Sequence, residues 1–225
     1  MKIIKLDKKT CNEIVSAKHY HKKLGIFWEG FGLIEDGTIT GVCVFGQPSA
    51  MIQKHAFKDK DFRLYELTRL VVQSKTRNAP SFLIANAIKL LKCNPCAIIS
   101  YADSAMNHCG IVYQATNWLY TGSPTACGKN VVIDGEVMHP STLYDMGIKN
   151  QHKWAKEKGY ELIQQKPKHR YFQFRGNKKQ KREMIRKLRY DIVEEYPKCE
   201  KQMYDDGDDI VIEIEQPVSE QMELF

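Results

Sequence analysis

From residue 100 to residue 118 the chain reads Ser-Tyr-Ala-Asp-Ser-Ala-Met-Asn-His-Cys-Gly-Ile-Val-Tyr-Gln-Ala-Thr-Asn-Trp. Acid, hydroxyl, imidazole and phenol groups thus fall in one short stretch. Asp103 and His108 can accept or hold a proton near neutral pH, Ser104 and Asn107 add polar contacts, and Tyr113 can return a proton to a departing group. The apolar run Ala97-Ile98-Ile99-Ser100-Tyr101 before it reads as a strand. Ile111, Gln114, Ala115 and Trp118 after it fall at the spacing of a helix face. Polar residues between a buried strand and the next helix lie at the carboxyl end of the strand, where open α/β sheets hold ligands. Asp103, His108 and Tyr113 are therefore expected to face one cleft. The plainer reading is that Asp103 or Ser104 caps the helix, His108 bonds its first turn and Tyr113 is a half-buried aromatic.

The preceding segment adds an anion site. Leu64 to Val72 alternates as a strand, with Glu66 and Arg69 as charges inside an apolar element. A basic turn follows, Gln73-Ser74-Lys75-Thr76-Arg77-Asn78-Ala79-Pro80-Ser81, and then a helix over Phe82–Leu91. Pro80 suits a first helical turn, where its missing N–H removes nothing. The free N–H groups and positive dipole of that helix start, with Lys75, Arg77 and Ser81 beside them, favour an anionic ligand such as a phosphate. Arg69 needs a partner, either an internal one or the anion itself.

Strand, basic turn and helix, followed by strand, polar turn and a Tyr-bearing helix, resembles the plan of the GNAT acyltransferases. There the pyrophosphate of the acyl donor sits on the first helix and the general acid is often a Tyr on the second. The glycines of the usual phosphate loop are replaced here by Asn78-Ala79-Pro80-Ser81. At finer grain, Glu66-Leu67-Thr68-Arg69-Leu70-Val71-Val72, Arg77-Asn78-Ala79-Pro80-Ser81, Ser100-Tyr101-Ala102-Asp103 and Gly110-Ile111-Val112-Tyr113-Gln114-Ala115-Thr116-Asn117 resemble the bacteriophage Mom DNA-modification family. His19-Tyr20-His21 and Lys168-His169-Arg170-Tyr171-Phe172 fit it too, so the resemblance spans roughly residues 15 to 198.

That resemblance implies a single α/β (mixed α+β) domain of GNAT type: a central, mostly antiparallel twisted sheet flanked by helices, with a basic C-terminal extension. It implies conversion of adenine in phage DNA to an N6-carbamoylmethyl derivative, which protects the DNA from host restriction. Asp103, Tyr113, Ser104 and His108 become the catalytic candidates. Arg69, Arg77, Asn78, Ala79 and Ser81 become donor-binding residues, and His19, Tyr20, His21, Glu66, Lys168 and Arg170 contact the substrate. Carbamoylmethyl is joined to N6 through CH2, so acetyl transfer alone cannot make it. A glycyl group on N6 is its isomer, and attack of the glycyl amine on ring C6 with migration converts one into the other. The donor is therefore either an acetyl-CoA-like thioester or an activated glycine such as glycyl-tRNA, with the second favoured. The alternatives are a GNAT acyltransferase acting on a protein or small-molecule amine, and an inert DNA-binding protein.

Composition bounds these readings. The 225 residues suffice for one packed domain, here residues 1–198, followed by an acidic tail, 199–225. No stretch is long and apolar enough for a membrane span, and the amino end reads as a first strand rather than a signal peptide. Seven cysteines without an export signal are expected to be reduced thiols in cytoplasm. Cys93-Asn94-Pro95-Cys96 reads as a turn, and two His spaced as in His19-Tyr20-His21 make a weak metal set, so no metal is assigned.

The net charge of +7 conceals a polarity: residues 165–190 carry +10 and residues 191–225 carry −10. In the basic part Lys166, Lys168, Arg170, Arg175, Lys178, Lys179, Lys181 and Arg182 interleave with Tyr171, Phe172 and Phe174. Cations of this density suit the phosphates of double-stranded DNA, and tRNA by the same chemistry. Adenine N6 is paired in a duplex, so the base must be flipped out, with Tyr20, Trp28 or Trp118 available to stack on it. The plainer reading packs the alternating aromatics inward. The acidic tail either competes with DNA for the basic surface or keeps the protein soluble.

The elements expected to position these groups are a strand over 2–6, a helix over 8–18 and a hairpin, 27–34 with 38–46, around Asp36-Gly37. The two strand–helix units come next, then a second hairpin, 130–138, around Asp134-Gly135. A helix from Ser141 after Pro140, strands over 160–165 and 169–174, and a basic helix over 178–188 complete the domain. An edge strand at 210–214 is a further possibility in the tail.

Overall fold

Six strands expected from the sequence build most of the sheet that the computed structural model shows; it describes residues 1–19, 22–124 and 128–199. The expectations for Tyr20, His21 and the acidic tail lie outside the described residues. β1 (Lys2–Leu6) leads into α1 (Lys8–Lys18), whose first turn is capped by Asp7. β2 (Glu29–Glu35) and β3 (Thr38–Gly46) form the hairpin around Asp36-Gly37, and a short helix α2 (Ala50–His55) follows. β4 (Arg63–Val72), α3 (Ala79–Leu90) and β5 (Cys96–Asp103) are the first strand–helix–strand unit. A 3-10 turn over 104–106 and α4 (Ile111–Ala115) come next, then β6 (Leu119–Tyr120).

β7 (Lys129–Ile133), β8 (Glu136–Met138), α5 (Pro140–Asp145), α6 (Gln151–Glu157) and β9 (Glu161–Gln164) form an insertion. The chain then returns to the main sheet as β10 (Lys168–Arg175) and ends the described helices with α7 (Lys178–Lys187). The main sheet runs β1-β2-β3-β4-β5-β10-β6 and the insertion carries a separate sheet, β8-β7-β9. In the main sheet β4 and β5 pair in parallel and the other neighbours antiparallel. The fold is thus the expected mixed α/β one, a large and mostly antiparallel sheet flanked by helices.

Each face of that sheet has its own core. On one face α3 lays Ala79, Leu83, Ile84, Ala87 and Ile88 against Phe31, Leu33, Phe45, Leu67 and Ile98, with Tyr113, Trp118 and Tyr171 extending the layer. On the other, α1 covers Val42, Val44 and Val71, and α7 places Met184 over Leu64, Ile99, Phe172 and Phe174. The insertion has a small core of its own around Val131, Leu143 and Ala155.

Three expectations are corrected. Trp118 does not continue the helix face, because α4 ends at Ala115 and Asn117 turns left-handed at φ 56°. Trp118, expected to be available for stacking on the base, is fully buried, and Tyr171, Phe172 and Phe174 pack inward as the plainer reading has it. Alternation in β10 sends Tyr171 to one covered face of the sheet and Phe172 and Phe174 towards the other. Cys109 and Cys199 form a disulfide, with Cα atoms 5.8 Å apart, whereas Cys11, Cys43, Cys93 and Cys96 are free thiols. The segment after α7 is thereby strapped over α4: Val193 N–H bonds Tyr120 O and the Tyr196 hydroxyl bonds Trp118 O. Among the described residues no helix is long and apolar enough to cross a membrane.

Candidate active site

A fork opens where β4 and β5 stop pairing. Their parallel register runs from Arg63–Cys96 to Glu66–Ile99, yet β4 continues to Val72 and β5 to Asp103. The cause lies on the other side of β4. Val44 of β3 faces Arg69 while Phe45 faces Leu67, so Thr68 is an extra residue in β4, a β-bulge. A bulge bends its strand and re-aims the side chains after it. Ser100 marks the crotch of the fork. Its hydroxyl donates to Leu67 O at 2.9 Å and lies 2.8 Å from the Tyr113 hydroxyl, so with one proton on each, Tyr113 donates to Ser100.

Tyr113 reaches this point from the α3 face. It packs between Trp118 and Tyr171, with ring centroids 5.0 and 5.1 Å away. Gly110 starts α4 at φ 77°, and a Cβ there would strike the Tyr171 ring at 2.6 Å; a glycine is required on both counts. On the same face α3 begins at Asn78, which adopts a left-handed φ of 66° and makes no side-chain cap. Asn tolerates this conformation, so it supplies the turn for which the expected loop glycines are missing. The Ser81 hydroxyl bonds back to Asn78 O at 2.9 Å. Arg77, Asn78, Ala79 and Ser81 thus surround an uncapped helix start, which suits an anion.

Glu66 enters the fork from the opposite face. It is half-buried, and among the described residues no hydrogen bond or ion pair holds its carboxyl. Burial pushes the carboxyl up to about 7, although Arg69 and Lys168 pull it down. Tyr101 stands beside it, its phenol held well above the usual range by burial and then by the Glu66 charge. A carboxyl with this affinity is neutral or charged with equal ease near pH 7 and lacks a partner among the described residues.

Asp103, by contrast, is engaged through both oxygens. Oδ1 accepts from Ala105 N–H at 2.9 Å, which caps the 3-10 turn, and Oδ2 pairs with Lys168 Nζ at 3.0 Å. Asp103 and Ser100 have opposite parity on β5, so Asp103 sits on the Glu66 face and Tyr113 on the other. The expected single cleft is a fork with two sides. His108 lies near Asp103, and burial lowers its proton affinity. Ser104 bonds Pro167 O, stapling the turn to the start of β10.

Two site assignments move. Arg69, grouped with the donor-binding residues, is turned by the bulge onto the Glu66 face, away from α3. Its Nε donates to Lys23 O at 2.6 Å, fixing the loop after α1. Arg170, expected on substrate, bonds Thr121 Oγ1 and O at 2.9 Å each and stacks 3.5 Å over the Tyr190 ring. His19 caps the end of α1. Two groups escape a reading of the sequence as site residues: Ser100, which fixes the Tyr113 hydroxyl, and His139. His139 is brought by the insertion close enough to Asp103 and Lys168 to feel both charges, and burial lowers its proton affinity.

The fold and site define a mixed α/β protein with a two-sided fork between parallel strands, one side anion-ready and the other carboxyl-lined. More narrowly, the chain belongs to the Mom protein family, whose model matches residues 1–198. A search of curated proteins found no match. Among solved structures it is similar to a chain described as histone acetyltransferase HPA2 and related acetyltransferase from Corynebacterium glutamicum ATCC 13032. The identity is 15%, the TM-score 0.34, and the match covers 76% of this chain and 77% of that one.

Proposed function

We propose that this protein is a GNAT-type transferase that modifies adenine N6 in double-stranded DNA, leading to the N6-carbamoylmethyl base and protection from restriction. Membership of the Mom family supports the reaction, and one observation carries the mechanism: the fork has an uncapped helix start on one face and, on the other, the carboxyl of Glu66, which has no partner among the described residues. The donor enters along α3, its phosphate at Arg77–Ser81, with its carbonyl in the fork. The base enters from the Glu66 face.

The N6 amine attacks the donor carbonyl, forming the C–N bond as the bond to the leaving group breaks. Adenine N6 is a weak nucleophile, so its proton must leave as that bond forms. The acceptor is Glu66 rather than Asp103, whose oxygens are already engaged. Tyr113, across the fork, gives its proton to the departing oxygen or sulfur and is held in place by Ser100. With activated glycine as donor, the product is N6-glycyladenine, and migration through attack of its amine on C6 yields the carbamoylmethyl isomer. With an acetyl thioester the product would be N6-acetyladenine, which cannot rearrange in this way.

The base would be brought to the Glu66 face by the surface that α7 exposes there. A capping box of Asn177 and Gln180 starts this helix and Met184 anchors it, leaving Lys178, Lys179, Lys181 and Arg182 exposed. Lys187 is held by Asp61 and Glu183 at 2.9 and 3.3 Å and does not join them. Replacing the four exposed cations by Ser is expected to weaken DNA binding and flatten its salt dependence, by ~0.9 in log–log slope for each phosphate no longer neutralised. A titration from low to high salt reads this; an unchanged slope would remove α7 from the interface.

The function itself is tested by expressing the full chain in a bacterium and digesting its plasmid DNA with adenine-sensitive restriction enzymes. Resistance is expected. Full digestion would leave a GNAT acyltransferase acting on another amine as the better reading.

A further inference from the structure

Helix α5 lies beside the fork at its start and is linked to it, through Lys23, at its end. At its start, the capping His139 lies within the charges of Asp103 and Lys168. At its end, Asp145 bonds Lys23 Nζ, and the carbonyl of the same Lys23 receives Arg69 Nε at 2.6 Å. The six residues of α5 span ~9 Å at the usual helical rise, so the helix lies across the mouth of the fork on the Glu66 side. Leu143 turns inward and is fully buried, but Tyr144 and Met146 point out and are each 63% exposed. Exposed Lys22 adjoins Lys23 in the loop after α1, and exposed Lys149 lies in the loop after α5.

Two large apolar side chains exposed at the rim of a polar site, with cations around them, match the chemistry of opened duplex DNA. Phosphates meet the lysines, and the apolar side chains replace a base in its stack. Proteins that unstack DNA do insert apolar wedges, and enzymes acting on a base must compensate for the unpairing when they extrude it. We infer that Tyr144 and Met146 form a wedge that enters the duplex and fills the gap left by the adenine swung into the fork. This rests on the reading of double-stranded DNA as substrate. The wedge is needed only while the target base is paired and stacked, which separates it from the general phosphate contacts of α7.

The test uses the full chain with two duplexes of one sequence, each carrying a central 2-aminopurine, an adenine analogue that brightens when unstacked. In one duplex it is paired with thymine; in the other it faces an abasic site. Wild-type protein should bind both and raise the fluorescence of the paired duplex. The double variant Tyr144→Ala/Met146→Ala, changed only at exposed positions, should lose that rise and bind the paired duplex about tenfold more weakly, while binding to the abasic duplex is unchanged, since opening there costs little. An equal loss on both duplexes would overturn the wedge and make the pair an ordinary DNA contact. An undiminished rise in the variant would overturn it and leave the patch as a surface for a protein. Failure of the wild type to bind either duplex would instead overturn the DNA reading, and the wedge with it.

Discussion

Glu66→Gln is expected to lower adenine modification by ~10²–10⁴-fold, the usual contribution of a positioned acid–base group. The amide keeps the shape of the carboxyl but cannot take the N6 proton. The rate of the wild-type protein should rise with pH through about 7, the value to which burial pushes this carboxyl, and the variant should lose that limb. Stability should move the other way. The folded carboxyl binds its proton more tightly than the unfolded one, so the folded state is penalised as pH climbs from the ordinary 4.5 to about 7 and fully so above it. The Gln variant should therefore melt higher than wild type at pH 8 and equally at pH 4. Lost activity with gained stability is a signature that a structural carboxyl would not give. Unchanged activity would return the proton to Asp103 or to solvent.

Tyr113→Phe is expected to reduce turnover by a similar ~10²–10⁴-fold if the phenol protonates the leaving group. The change removes one oxygen at the fork. Ser100 still donates to Leu67 O, and the ring still fills the space between Trp118 and Tyr171, so the melting temperature should shift little. Donor binding, measured by titration without DNA, should also persist because α3 is untouched. A donor with a better leaving group should be affected less by the loss of the phenol, and this dependence separates acid catalysis from packing. Equal losses with all donors would reduce Tyr113 to a positioning residue.

Much of the frame is legible in short stretches of sequence. Alternation marks β4 and β10, a continuous apolar run marks β5, Asp-Gly pairs mark both hairpins, and Pro80 locates the start of α3. These are signals carried by neighbours in the chain. The site is less legible because its geometry depends on contacts between distant segments. The bulge at Thr68 follows from the pairing of β4 with Val44 and Phe45, and nothing local announces that it turns Arg69 from one face to the other. Glu66 looks like any charged strand residue until its burial, without a partner among the described residues, sets it apart. Arg170 reads as a free cation, yet Thr121 and Tyr190 hold it. Cys109 and Cys199 are 90 residues apart, beyond what spacing can pair. α2 and α6, of six and seven residues, are too short for periodicity to declare.

The two faces also explain why the polar stretch 100–113 suggests more unity than it has. Asp103 and Tyr113 are near in sequence and both near the fork, but strand parity sends them to opposite sides. For a transfer reaction this separation is useful. In the proposed reaction the proton would leave the attacking amine on one side and return to the departing group on the other, so the two groups need not share a pKa or an environment.

The decisive measurement is mass spectrometry of nucleosides from plasmid DNA, with wild-type protein and the Glu66→Gln variant expressed to equal soluble levels. An adenosine species heavier by the mass of a carbamoylmethyl or isomeric glycyl group is expected in the wild-type sample, and its near absence with the variant. Only unmodified deoxyadenosine in the wild-type sample, or equal modification in both, would contradict the transfer of such a group to adenine with Glu66 as the proton acceptor.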